Sequence, residues 1–221
     1  MVRFLPVLLV FGLLWGLVGC SNAVESTPFS INGTPLPNAI FADDFSNPNS
    51  GWGIWTEDAN GSFVAYQNNG LRILVKDQQF DYWSRPGKRF VDARIEVDAI
   101  KLAGPDDNDF GLLCRYQDKD NHYQFLISSD GYAGIIKVAD GKYSMLTGTD
   151  MVYTQAIRQG EALNHIQADC VGQTLTLSVN GEVVAQTQDS SFAAGEVGVI
   201  AGTDSDPGVD IFFDNFVVSN P

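Results

Sequence analysis

Apolar and polar residues alternate with a period of two through most of the chain after Ala39. The clearest runs are Arg94-Ile95-Glu96-Val97-Asp98-Ala99-Ile100 and Leu175-Thr176-Leu177-Ser178-Val179. That period is the mark of half-buried strands. Asn69-Gly70, Asp130-Gly131, Asp140-Gly141 and Asn180-Gly181 fall between such runs, and Asx-Gly pairs favour tight hairpin turns. The pattern predicts strands over 40–45, 62–67, 71–75, 80–85, 90–102, 110–117, 123–128, 133–139, 143–148, 164–171, 174–179, 183–188, 196–201 and 209–219. One short helix is predicted near 153–160, and no internal repeat is visible. Many short strands with frequent turns predict an all-β, antiparallel sandwich or jelly roll.

The first residues break this pattern. Arg3 is followed by an almost wholly apolar run, Phe4 to Val18, and then by Gly19 and Cys20. This is the layout of a secretory signal, and the run is short for a segment that must cross about 30 Å of hydrocarbon. Residues 21–37, rich in Ser, Asn, Thr and Pro, lack periodicity and read as a tether. The expected organisation is a signal peptide over 1–19, an anchor and tether over 20–38, and one domain over 39–221.

The chain has three cysteines. With Cys20 set aside, Cys114 and Cys170 form an even pair in an exported chain, which suggests a disulfide. By alternation Cys114 shares a face with Phe110, Leu112 and Tyr116, and Cys170 with Ile166 and Ala168. Both sulfurs are therefore expected in the core, which favours pairing; two reduced core thiols are the alternative. The formal net charge is −14, and loss of Arg3 with the signal takes it to −15. A field of that sign repels phosphate backbones and disfavours nucleic acid as a partner.

The stretch Leu17-Val18-Gly19-Cys20 resembles the lipobox of bacterial lipoproteins. The resemblance implies cleavage before Cys20, acylation of its sulfur and attachment to a membrane or cell surface. The domain resembles the concanavalin A-like jelly rolls, which include laminin-G, lectin and laminarinase-type glucanase domains. The residues that carry this are Phe41-Ala42-Asp43-Asp44-Phe45 before Gly51-Trp52, Asp109 to Tyr116 followed by Tyr123-Gln124-Phe125, Thr174 to Gly181, and Phe213-Asp214-Asn215-Phe216-Val217-Val218. Such a fold hosts binding modules, hydrolases and adhesion modules, so function has to come from a site.

Sugar sites combine aromatic rings with planar polar groups. Alternation puts Trp83, Arg85, Arg115, His122 and Gln124 on outward positions that could line one concave face and bind a glycan. In laminarinase-type enzymes the catalytic strand reads Glu-x-Asp-x-x-Glu. Here Glu96-Val97-Asp98-Ala99-Ile100-Lys101 has Lys101 in the third acidic place, so no catalytic residue is assigned. The resemblance also implies a structural calcium ion, with Asp214 near the last strand and Asp44 near the first as ligands. The acidic runs 104–109 and 204–206 are rival loops. A non-catalytic carbohydrate-binding domain is the leading expectation. A glycoside hydrolase-like enzyme and a structural or adhesion module are the alternatives.

Overall fold

A computed structural model describes residues 29–31, 34–57 and 59–221. Its strands, in chain order, are β1 (Phe29–Ile31), β2 (Thr34–Leu36), β3 (Ala39–Asp43), β4 (Trp55–Thr56), β5 (Phe63–Gln67), β6 (Gly70–Val75), β7 (Phe80–Ser84), β8 (Arg89–Phe90), β9 (Ala93–Ala103) and β10 (Asn108–Asp118). They continue as β11 (Asn121–Ile127), β12 (Tyr132–Ala139), β13 (Lys142–Met145), β14 (Val152–Tyr153), β15 (Asn164–Val171), β16 (Thr174–Val179), β17 (Glu182–Gln188), β18 (Gly195–Thr203) and β19 (Val209–Ser219). The β1–β2 hairpin lies within the stretch expected to be a tether.

Two antiparallel sheets face each other. One runs β13-β12-β11-β10-β18-β7, and the other β17-β16-β15-β9-β19-β6-β5-β4, with β3 added on β19. The opening and closing strands of the sandwich are thus neighbours, Asp43 opposite Phe216. The alternation read from sequence explains the layering. In β9, Ala93, Ile95, Val97 and Ala99 are buried, while Arg94, Glu96 and Asp98 are partly exposed on the other face. Lys101 falls on the inward phase at the strand's end and is buried, donating to the Gly104 carbonyl and to Asp106. Phe110, Phe125 and Ile135 from the first sheet meet Ile95, Ile211 and Phe213 from the second in one core.

Cys114 on β10 and Cys170 on β15 are joined by a disulfide across this core. It therefore ties one sheet to the other. Closing a loop of 56 residues is worth about 4 kcal/mol in the chain-entropy account.

Two local expectations are corrected. Among the described residues, 153–160 contains turns and bends but no helix. The Asn164 side chain accepts from the Arg158 N–H and donates to the Arg158 carbonyl, while Asn180 takes the Ala156 carbonyl. Side chains thus satisfy backbone groups that a helix would have paired internally. The second correction concerns β10. Its register slips between Cys114 and Tyr116, where Arg115 has φ of 50°. The extra residue of this bulge reverses the alternation. Cys114 still points inward, but Tyr116 packs on the outer face with Leu113, Leu126 and Ile200. The backbone of the bulge presses against β18 at Gly195, where an added Cβ would lie 2.2 Å from the Arg115 carbonyl carbon.

Candidate functional site

The outer face of the β7-containing sheet gathers most of the residues singled out for sugar binding. Trp83, Tyr116 and His122 lie side by side, with Trp83–His122 and Trp83–Tyr116 centroids 6.1 and 6.0 Å apart. The Arg85 guanidinium sits 3.9 Å above the Tyr116 ring and pairs with Glu196. Gln124 joins them through His122. Arg115 does not. The bulge turns its side chain away, and the guanidinium, 2% exposed, donates to the carbonyls of Val91 and Phe192 and to Asp92. Its role is to hold loops, since a buried cation must find acceptors.

His122 and Gln124 lie on the expected face but are not open to solvent, being 0% and 1% exposed. Burial pushes the His122 imidazole below its ordinary value, so it is neutral near pH 7. Its Nδ1 lies 3.3 Å from the Asp118 carbonyl and its Nε2 3.2 Å from Gln124 Nε2. One tautomer satisfies both: Nδ1–H donates to the carbonyl, and Nε2 accepts from the amide. Gln124 also bonds to Asp81 and to the Tyr143 hydroxyl, and its Oε1 is buried without a close partner.

Beside this cluster an open groove of about 450 Å³ runs along β7. Trp55 and Tyr82 pack at 4.2 Å between centroids and Phe80 and Tyr82 at 4.8 Å. Ile54 and Phe80, on its rim, are 57% and 49% exposed. Trp83, Asp81 and Arg85 supply the wall shared with the buried cluster. The loop holding Ile54 is fixed by Gly53 N–H to the Arg85 carbonyl and by Ser84 Oγ to the Gly53 carbonyl. Asp81 was missed in the sequence, although it shares the phase of Trp83 and Arg85 and alternation marks it. Trp55 had no such signal, because β4 has only two residues.

A second depression, about 380 Å³, lies at one end of the same sheet and is lined by Asp107, Asp109, Asp130, Asp150 and Asp204. The fold thus brings together the two acidic runs seen in the sequence. Asp109 and Asp81 stand in register on either side of Gly202. An added Cβ at Gly202 would lie 2.0 Å from Asp81 Oδ1, so the glycine leaves room for that carboxyl in its present position. Burial pushes Asp81 up to about 6; burial and then the charge of Asp81 push Asp109 up to about 7.

On the outer face of the other sheet, Glu96 and Asp98 hold His165 between them, at 3.4 Å from Nε2 and 2.8 Å from Nδ1. Nearby, Asp44 accepts from Ser46 and Asp214 from the Asn215 N–H. Burial, then the charges of Asp98 and Asp44, push the Asp214 carboxyl up. The two proposed calcium ligands therefore feel each other's charge. Among the described residues no group of three or more His, Cys, Asp or Glu is arranged as a metal-ligand set. Calcium here would take most of its six to eight oxygens from carbonyls and water. Cys20 lies outside the described residues.

No family model matches the chain, and no curated protein matches it. Solved structures do. The carbohydrate binding module CBM66 from Bacillus subtilis superposes with a TM-score of 0.63 at 16% identity, covering 77% of this chain and 96% of that one. A beta-glucanase from Bacillus licheniformis gives 0.59 at 10% identity, covering 82% and 98%. The likeness establishes the fold. It is an all-β, concanavalin A-like jelly-roll sandwich. The GH43 protein BlXynB of Bacillus licheniformis gives 0.61 at 12% identity, but the chain spans only 39% of that protein.

The two histidines should titrate far apart. Hydrogen bonding to Asp98 and then Glu96 raises His165 to about 9, whereas burial lowers His122. The folded His165 value lies above its ordinary 6.5. Its stabilising contribution is therefore complete below about pH 6.5 and is lost as pH rises through about 9. An NMR titration of the imidazole carbons should show one midpoint near 9 and one below 6.5. Two midpoints near 6.5 would contradict both environments.

Proposed function

We propose that the chain is an exported, lipid-anchored protein whose sandwich binds carbohydrate in the groove along β7. The aromatic wall carries this reading. Trp55, Phe80, Tyr82 and Trp83 offer ring faces and edges, while Asp81 and Arg85 stand beside them as hydrogen-bonding groups. Sugars present the matching surface, with apolar ring faces edged by hydroxyls. The fold shared with a carbohydrate binding module and a beta-glucanase is in keeping with it. On a glycan array the domain from Ala39 onward should bind a defined set of glycans, and Trp83→Ala should weaken that binding at least tenfold, about 1.4 kcal/mol. An array without binders, or unchanged affinity in the variant, would sink this site.

A second reading is glycoside hydrolase-like. It is favoured by Asp81 and Asp109, two carboxyls with raised pKa values flanking Gly202 beside the groove. Glycosidases use a pair of carboxyl groups held about 5–10 Å apart. Release of new reducing ends from the bound glycans would favour this reading over simple binding.

The anchor reading rests on the apolar run ending at Cys20 and on the disulfide, which suits an oxidising, extracytoplasmic compartment. Acylation needs the Cys20 sulfur, and two or more acyl chains hold far more firmly than one. Cys20→Ala should move the protein from the membrane to the soluble fraction after detergent-free lysis. Unchanged membrane association would point to an uncleaved apolar segment instead.

Burial first, and then the charges of Asp98 and Asp44, raise Asp214; calcium bound between Asp44 and Asp214 would offset both the lost solvation and the repulsion. Asp214 is the firmer ligand, since its carboxyl also feels Asp98. At 1 mM calcium and a Kd of ~10 µM the folded state gains roughly 2.7 kcal/mol. The melting temperature should fall with chelator in the wild type and be insensitive to it in Asp214→Ala. A wild-type melt indifferent to chelator would remove the ion from the account.

A further inference from the structure

The groove meets every residue from Phe80 to Arg85. Side chains of a strand alternate between faces, so such a groove runs along the strand's edge and not over one face. β7 ends its sheet and pairs with β18 alone. In an antiparallel strand the N–H and carbonyl of one residue point to the same side, and those of the next residue to the other. The Ser84 carbonyl oxygen lies 2.3 Å from the Cβ position of Gly198 on β18, and its carbon 3.3 Å. Ser84 is therefore turned towards β18, and Tyr82 with it, which turns Asp81 and Trp83 to the open side. The Arg85 carbonyl has the same phase and accepts from Gly53, in the loop that walls the groove. Among the described residues nothing pairs with the N–H or carbonyl of Asp81 or Trp83. The open edge is short. The Gly53 bond closes it at Arg85, and the Gln79 N–H turns back to the Asp204 carbonyl. The two open positions lie about 6.6 Å apart. An added strand runs to about 5–6 residues, so this edge is too short for a ladder and suits a single compact unit.

We propose that the free edge of β7 is the polar half of the sugar site, where the backbone N–H and carbonyl groups of Asp81 and Trp83 exchange hydrogen bonds with neighbouring free hydroxyls of one sugar unit. The inference rests on the groove being a carbohydrate site and goes further by naming the ligand feature it reads and the groups that read it. An N–H beside a carbonyl calls for a partner that accepts at one point and donates at the next. A hydroxyl does either, so two neighbouring hydroxyls can meet the N–H and carbonyl of one residue together. The rings of Trp55, Tyr82 and Trp83 stand beside the same edge and take the apolar ring face.

The test is backbone amide exchange followed by NMR on the full chain in zwitterionic detergent micelles. In the free protein the Asp81 and Trp83 amides should exchange faster than those of Tyr82 and Ser84. Soluble oligosaccharides of xylan, mixed-linkage β-glucan and levan are the probes, and at least one should slow both open amides about tenfold. Asp81→Pro removes an N–H that the ladder does not use, a change that edge strands tolerate. It should bind that probe about fivefold more weakly than Asp81→Ala, which loses the same carboxyl and keeps the N–H. The exchange measurement stands alone if the proline variant does not fold. Asp81 and Trp83 amides as protected as their neighbours in the free protein would overturn the open edge. A probe that shifts the Trp55 and Trp83 indole signals and leaves both amides unprotected would overturn the edge as reader and leave the carbohydrate site standing. Protection by unstructured casein and by none of the sugars would assign the edge to peptide. No response to any probe would overturn the carbohydrate site and this inference with it.

Discussion

The bulge at Arg115 is the constraint on which both the core and the candidate site depend. A regular β10 would send Cys114 and Tyr116 to the same face. The inserted residue, held at φ of 50°, lets Cys114 reach Cys170 inside the sandwich while Tyr116 turns outward. A positive φ at a side chain as large as arginine is unfavourable on its own. It is offset by the bonds of the buried guanidinium to two carbonyls and Asp92. Tyr116 then gives Arg85 a ring to rest on and Trp83 a neighbour. The wall of the groove on β7 is thus shaped by a distortion in β10, on the far side of β18.

Charge is distributed in keeping with this division of labour. Of the ion pairs, Arg72–Asp210, Arg94–Asp169 and Lys137–Asp189 hold strands or loops of the sandwich together. His165 is occupied by Glu96 and Asp98 on the outer face of the second sheet. Five carboxylates, Asp107, Asp109, Asp130, Asp150 and Asp204, gather instead at the end of the first sheet. There burial and mutual repulsion raise Asp109. The negative field at this end of the first sheet attracts cations and repels anions over roughly a Debye length.

The fold was legible because nearly every strand carries its own period-two signal and nearly every hairpin its Asx-Gly turn. The phase of β9, β11 and β15 follows directly from Val97, Phe125 and Ala168. What escaped was where alternation breaks. A bulge adds one residue with no composition signal of its own, so Tyr116 and Arg115 were placed on the wrong faces. The helix expected over 153–160 failed for a different reason: Asn164 and Asn180, distant in sequence, supply the loop's hydrogen bonds. Of the site, the phase of Trp83, Arg85, His122 and Gln124 was readable. Their depth was not, because burial of His122 and Gln124 depends on side chains from β7, β10 and β13 that alternation alone does not bring together.

Glu96 and Asp98 deserve comparison with Asp81 and Asp109, because the sequence pointed to the first pair. Alternation puts Glu96 and Asp98 on one face, as a catalytic pair requires, but the same face brings His165 between them. A histidine raised to about 9 is cationic at neutral pH, and hydrogen bonding to it and to Asn215 holds Asp98 below the ordinary carboxylate value. A general acid needs the opposite, a carboxyl whose pKa is raised toward the working pH. That condition is met on the other sheet, where burial raises Asp81, on the groove wall, and Asp109, across Gly202 in the acidic depression. The placement of these two pairs follows from sheet topology. The strand that resembles the catalytic one places its acids around His165, and the carboxyls with raised pKa lie on β7 and β10.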